Sequence, residues 1–186
     1  MIKFHQLAIA DVKVLIPKRW TDNRGWFMES YHKAECADVG IHADFVQDNV
    51  SFGTKANTVR GLHFQRPPAA QAKLVRVIHG SIFDVAVDLR RGSSTYLQWV
   101  SATLTAQGGE QLFVPRGFAH GFCTLEDDVE VAYKADAFYS KEHDAGILWN
   151  DPDIAIEWPA GAGQVTLSQR DSTLPLLREI ASPFVA

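Results

Sequence analysis

Cysteine is nearly absent: Cys36 and Cys123 are the only two among 186 residues. Neither belongs to a Cys-x-x-Cys pair, which argues against a zinc or redox motif. Two buried free thiols in a reducing cytoplasm are expected in preference to a disulfide. A basic surplus is missing too. With a net charge of −4, the chain lacks the excess of cations that a general nucleic-acid binder uses against a phosphate backbone. No apolar run approaches the ~18 residues of a membrane span, and Met1-Ile2-Lys3-Phe4-His5-Gln6 lacks the basic start and apolar stretch of a signal peptide. The expectation is a cytoplasmic protein with no membrane or nucleic-acid partner. Repeats, low-complexity tracts and flexible linkers are also lacking. One domain over residues 1–186 is therefore expected, with a core supplied by an apolar fraction of 46%.

Helical periodicity is scarce. Residues 31–39, stopped by Gly40, predict one short helix, and residues 174–180 another. Most of the chain reads as strand. Residues 73–79 and 81–89 are β-rich runs around Gly80, and residues 96–104 form another. Gln111-Leu112-Phe113-Val114 is a short strand ended by Pro115. In residues 129–134, alternation puts Val129, Val131 and Tyr133 on one face. Residues 9–29 are also β-like, with a turn at Asp22-Asn23-Arg24-Gly25. Repeated short strands separated by turn signals predict a sandwich or barrel. Such sheets have edges that must be covered, and strand exchange between two copies is one way to cover them.

Two segments hold most of the chemistry: Arg60-Gly61-Leu62-His63-Phe64-Gln65 and Pro115-Arg116-Gly117-Phe118-Ala119-His120-Gly121-Phe122. Each sets a histidine, with no second one close in sequence, three or four residues after an arginine. Histidine moves protons near neutral pH, and arginine suits phosphate. The pairing predicts an enzyme acting on a phosphorylated or nucleotide-linked substrate. Between Leu62 and Phe64, His63 points to the sheet face opposite theirs. A base lining a pocket competes there with an ordinary structural histidine. A metal site is disfavoured, because it needs three or four converging ligands, whereas Gln65 stands two residues after His63 and His120 stands alone. Tyr133 is a candidate proton donor or a core aromatic. Lys73 is an oxyanion stabiliser or an exposed strand-start lysine. Asp171 is a turn aspartate or the carboxylate orienting His63. Arg24, Glu29, Gln47, Asp48, Asn49 and Arg60 are polar groups among apolar neighbours, each by itself consistent with plain surface solvation.

Taken in order, these segments resemble a known family. The markers are Asp22-Asn23-Arg24-Gly25 with Phe27 and Glu29, then Gln47-Asp48-Asn49, the two histidine segments, and Gln71 with Lys73-Leu74-Val75. Asp84-Val85-Ala86-Val87-Asp88, Tyr133-Lys134 and Trp149-Asn150-Asp151-Pro152 complete them. From about Asp22 to Asp171 the chain is similar to the dTDP-4-dehydrorhamnose 3,5-epimerases. The resemblance implies a mainly β, cupin-type jelly-roll sandwich with a few short helices, without metal or organic cofactor. It implies a homodimer with exchanged N-terminal strands and a dTDP-4-keto-6-deoxy-hexose substrate, with the product feeding surface polysaccharide such as lipopolysaccharide O-antigen. It implies His63 as base with Asp171 behind it, Tyr133 as acid, and Lys73 and His120 around the 4-keto oxygen and sugar. Nucleotide and diphosphate contacts fall to Arg24, Glu29, Gln47, Asp48, Asn49 and Arg60, with Phe27 and Phe138 packing on base or sugar and Tyr139 orienting the ring. Asp144 stands where glutamate is common and Arg170 where lysine is common, which bears on substrate positioning. A single-centre epimerase and a non-catalytic sugar-nucleotide binder of the same fold are the alternatives.

Overall fold

The computed structural model describes residues 2–159 and 165–185, and antiparallel strands dominate it. One sheet has six strands in the order β1 (Lys3–Gln6), β2 (Lys13–Ile16), β11 (Gln111–Val114), β7 (Lys73–His79), β13 (Val129–Ala135) and β5 (Gln47–Gly53). A second has five: β10 (Trp99–Thr105), β8 (Ser81–Asp88), β12 (Phe118–Thr124), β6 (Val59–Gln65) and β14 (Asp144–Gly146). Two small pairs complete the set: the hairpin of β3 (Arg19–Asp22) with β4 (Gly25–Met28), and the parallel pair of β9 (Arg90–Arg91) with β15 (Phe184–Val185).

The two large sheets lie face to face as the expected jelly-roll sandwich. Val14, Val75, Val77, Leu112 and Val131 of the first meet Ile82, Ala86, Leu104, Phe118 and Phe122 of the second in one buried cluster. The outer faces are covered as well. Helix α1 (Lys33–Asp38) brings Cys36 onto Leu15, Leu74 and Phe113. Chain near the C-terminus sets Leu177 and Phe184 among Leu62, Phe64, Val85, Val87 and Ile147. A strand covered on both faces needs no polar alternation, which explains why all seven residues of β12 are buried. Both cysteines are buried and free.

Two predicted elements differ. Residues 174–180 give only a 3-10 turn, Leu177–Glu179, because Pro175 and extended backbone at Leu176 leave no room for an α-helical start. The strand predicted from residue 96 begins at Trp99. Before it, Leu97 has φ of 65° in a turn, its N–H bonded to the Asp88 carbonyl. That turn closes on the Asp88 carboxylate, which accepts from Arg90, Ser93 and Thr95. Burial by itself would raise the Asp88 pKa, but these donors outweigh it and bring the group down to about 2.

Candidate active site

A cavity of about 510 Å³ is lined by strands of both large sheets. Its walls bring together Arg60, His63, Lys73, His120, Tyr133, Arg170 and Asp171, residues spread over more than a hundred positions of sequence. His63 on β6 and His120 on β12 are register partners, so the two histidines that stand apart in sequence are cross-strand neighbours. Lys73 on β7 and Tyr133 on β13 belong to the facing sheet. The Lys73 ammonium lies 5.7 Å from the Tyr133 ring centre.

The shape of β6 decides what reaches the cavity. In a regular strand, residues three apart point to opposite faces, yet Arg60 and His63 both line it. The pairing with β12 slips between His63↔His120 and Arg60↔Phe122, so β6 carries one extra residue. Such a bulge re-aims the side chains on either side of it. The bulge occurs where Gly61, with φ of 129°, nearly touches Gly121. A Cβ on Gly61 would sit 2.6 Å from the Gly121 Cα and 2.8 Å from the His120 carbonyl oxygen. Only glycine permits both the angle and the approach.

Two histidine–carboxylate pairs face this space. His63 Nε2 is 2.6 Å from Asp171 Oδ1. A carboxylate accepts, so Nε2 carries the proton and the Nδ1 lone pair is the basic one. Burial of Asp171 works against its charged form, but hydrogen bonds from His63 and Ser168 prevail and hold its pKa below the usual value. His120 Nε2 is 2.6 Å from Asp84 Oδ1, both deeply buried. Desolvation lowers the His120 pKa despite Asp84, favouring the neutral ring. Burial likewise brings the Lys73 ammonium down to about 8, with Asp84 and Asp144 opposing the drop. Burial raises the Tyr133 pKa, so its hydroxyl stays protonated at neutral pH.

Asp84 went unassigned in the sequence reading. Its signal was legible: in β8, Ile82, Asp84 and Ala86 share the inner face, and a carboxylate between two core residues needs a reason to be there. Its Oδ2 is buried without a hydrogen-bond partner among the described residues. The walls formed by residues 51–54 and 166–168 carried no signal, being ordinary small and apolar side chains. Arg116, the arginine of the second histidine segment, is a correction. It lies off the cavity and pairs with Asp136 at 2.8 Å.

The other candidate residues sit outside this cavity. Asp48 and Asn49 on β5 border a smaller one of about 150 Å³ beside Tyr133. Asp48 holds Lys134 at 2.9 Å, and Gln47 donates to Asn49. Tyr139 donates to Asp144, which pairs with Arg170 at 2.8 Å. Phe138 is 70% exposed. Arg24 is paired with Asp22 on the β3–β4 hairpin, and Phe27 and Glu29 lie on or just after β4; none of the three lines the cavity. Among the described residues, no three His, Cys, Asp or Glu converge as metal ligands, and no helix is long and apolar enough to cross a membrane.

Comparison with known proteins adds independent support. Residues 6–179 match the family model described as dTDP-4-dehydrorhamnose 3,5-epimerase. A relative of that name from Sinorhizobium fredii is 50% identical over 97% of this chain and 92% of its own length. A crystal structure from Bacillus anthracis, with TDP and pyrophosphate bound, is 48% identical with a TM-score of 0.92, covering 95% of this chain and all of its own. Another, from Legionella pneumophila in complex with dTDP-4-keto-L-rhamnose, covers the whole of both chains at 39% identity and a TM-score of 0.94.

Proposed function

The chain belongs to the dTDP-4-dehydrorhamnose 3,5-epimerase family, and on that footing we propose how its residues carry out the reaction. The activity is an isomerisation in dTDP-L-rhamnose synthesis. It inverts dTDP-4-dehydro-6-deoxy-D-glucose at C3 and C5 to give dTDP-4-dehydro-L-rhamnose. Both carbons flank the C4 ketone, so loss of a proton from either leaves an enolate. The ketone is itself the electron sink, and the proposed steps call on no metal or organic cofactor.

His63 is the base, taking the proton through Nδ1 while Asp171 steadies the imidazolium that forms. Lys73 meets the developing charge on O4, where a preorganised donor is often the largest single contribution, and His120, neutral with its Nε2–H held by Asp84, offers the sugar an acceptor at Nδ1. Tyr133 returns a proton from the other side. One observation supports this reading above the rest: His63 with its carboxylate and Tyr133 stand on facing sheets across one cavity. A sugar ring held between them would meet a base on one face and an acid on the other, which is the requirement for inversion.

The proposal includes a homodimer with exchanged N-terminal strands. Val50 and Phe52 on the edge strand β5 are exposed at 65% and 53%, and Trp26 and Phe27 on the hairpin are more than half exposed. An open sheet edge with an apolar row is a surface that proteins ordinarily cover. A partner's hairpin would also deliver Arg24, Phe27 and Glu29 to a site their own chain does not bring them to.

Incubation with dTDP-4-keto-6-deoxyglucose in D₂O, followed by proton NMR and mass spectrometry, tests the activity. Deuterium at both C3 and C5 is expected. Deuterium at one carbon would mean a single-centre epimerase, and none, with dTDP still bound, a binding protein. His63→Ala should abolish exchange while leaving dTDP binding largely intact.

A further inference from the structure

The β3–β4 hairpin is joined to the rest of the molecule by little. Its two strands pair with each other and with no other strand. Among the described residues, no backbone hydrogen bond links residues 17–30 to either large sheet. On its far side the chain is fastened by a side chain, Gln111 Nε2 donating to the Ser30 carbonyl at 2.8 Å. Alternation along the hairpin, in the register Arg19↔Met28, Trp20↔Phe27 and Thr21↔Trp26, turns Arg19, Trp26 and Met28 to one side and Trp20 and Phe27 to the other. The first side lies over β7, but loosely: a cavity of about 80 Å³ remains between Arg19, Trp26 and Met28 and the residues Arg76 and Ile78.

Arg19 crosses that gap. Its Nη2 donates to the Ala106 carbonyl at 2.6 Å and its Nη1 to the Gln107 carbonyl. Its guanidinium carbon lies 4.3 Å from the centre of the Trp26 ring, so the same group grips the opposite strand of the hairpin. The β10–β11 turn that receives it is itself fixed. Ala106 N–H is bonded to Gly80, Gly109 N–H to Thr105, and the Glu110 carboxylate accepts from Thr105. Arg19 Nε is buried with no hydrogen-bond partner among the described residues. A guanidinium with an unmet donor adds less stability than a fully bonded one, so its fork serves to fix a direction.

We infer that Arg19 is a positioning residue, bolting the hairpin to the β10–β11 turn and so aiming Arg24 and Phe27 at the nucleotide of the partner's site. The inference rests on the reading that the hairpin completes that site. Arg19 touches no substrate; it acts through the hairpin's orientation.

Without the bolt the hairpin is in its working orientation only part of the time, and apparent affinity falls by that fraction. Arg19→Met keeps an apolar stem beside Trp26 but offers the two carbonyls no donor. Calorimetry should show dTDP binding weakened about fivefold, and KM for dTDP-4-keto-6-deoxyglucose should rise by a similar factor with kcat within about twofold. A variant that merely folded less well would lose kcat per total protein and keep its KM. Gly109→Ala separates anchoring from charge, because it removes no cation yet sets a Cβ 2.9 Å from Arg19 Nη2. It should raise KM as Arg19→Met does, and add nothing in the Arg19→Met background, where the clash is gone. An unchanged KM in Arg19→Met, a fall in kcat alone, an unchanged KM in Gly109→Ala or a further rise in the double variant would each overturn the bolt. Arg24→Ala keeps the two readings apart. If it binds dTDP as wild type does, the hairpin does not reach the nucleotide and the underlying reading fails; if it weakens dTDP while Arg19→Met does not, only the bolt fails.

Discussion

Lys73 shows how function and stability oppose one another at a single side chain. Its pKa is brought down to about 8 chiefly by desolvation. An unfolded chain would hold that proton up to about 10.4, so keeping the ammonium in the folded cavity costs stability. The cost is full below pH 8 and vanishes as pH rises through the unfolded value. Solvent entering the cavity screens part of it, leaving on the order of 1–3 kcal/mol. Lys73→Met should therefore raise the melting temperature at pH 7 by several degrees, with the gain shrinking between pH 8 and 10.5, while turnover falls by about 10²–10³-fold through loss of a donor to the oxyanion. Wild-type kcat should decline on the alkaline side with a midpoint near 8 as the ammonium is lost. A melting temperature that drops in the variant would refute the strain argument. Tyr133 makes the complementary case. Burial keeps its hydroxyl protonated, and Tyr133→Phe should lower inversion by about 10²–10⁴-fold with dTDP affinity little changed. Full inversion by that variant, measured by NMR of the sugar, would remove the tyrosine from the mechanism.

Among the elements, β6 and β12 bear most directly on chemistry. Their bulge places Arg60 and His63 on one face, and the Gly61–Gly121 approach allows the bulge to close. Gly61→Ala combines a positive φ unsuited to a side chain with a backbone clash at 2.6 Å. A loss of about 2–4 kcal/mol is expected, in the range of strain plus overpacking, measurable by urea unfolding. Activity per folded molecule should fall as well, because the clash would push His63 and His120 apart. Gly25→Ala is the control: its φ is 128°, but nothing lies within 4 Å of an added Cβ, so it should cost less than Gly61→Ala and leave the cavity as it is. Much at this scale was legible beforehand. The runs at β7, β8, β11 and β13 could be read from apolar patterning, and the hairpin from its turn residues. The bulge was not, because a slip in register is a property of two strands and the sequence lists them one at a time.

The whole molecule raises the question of the second copy. If a partner's hairpin completes each site, variants in different parts of it should rescue one another. Arg24→Ala and His63→Ala would each be nearly inactive alone. In a mixed dimer, one site would combine an intact His63 with an intact hairpin. Mixing equal amounts after subunit exchange should restore about a quarter of wild-type activity, from half mixed dimers with one good site each. No recovery, with exchange verified by mass spectrometry, would place Arg24 outside the partner's site. Light scattering gives the oligomeric state directly.

The residue types and their order were enough to specify a β-rich chain and its family, and through that resemblance to single out His63, Tyr133 and Asp171 as the proposed acid–base set. Strand period, turn chemistry and the glycine-flanked histidines are local properties, and local properties are written along the chain. Tertiary structure alone decided that His63 and His120 are neighbours, that Asp84 stands behind His120, that Arg116 belongs to Asp136, and that Asp144 reaches Arg170. Each of these depends on which strands pair and in what register. Register is set by the burial of whole sheet faces together, so no single segment carries it.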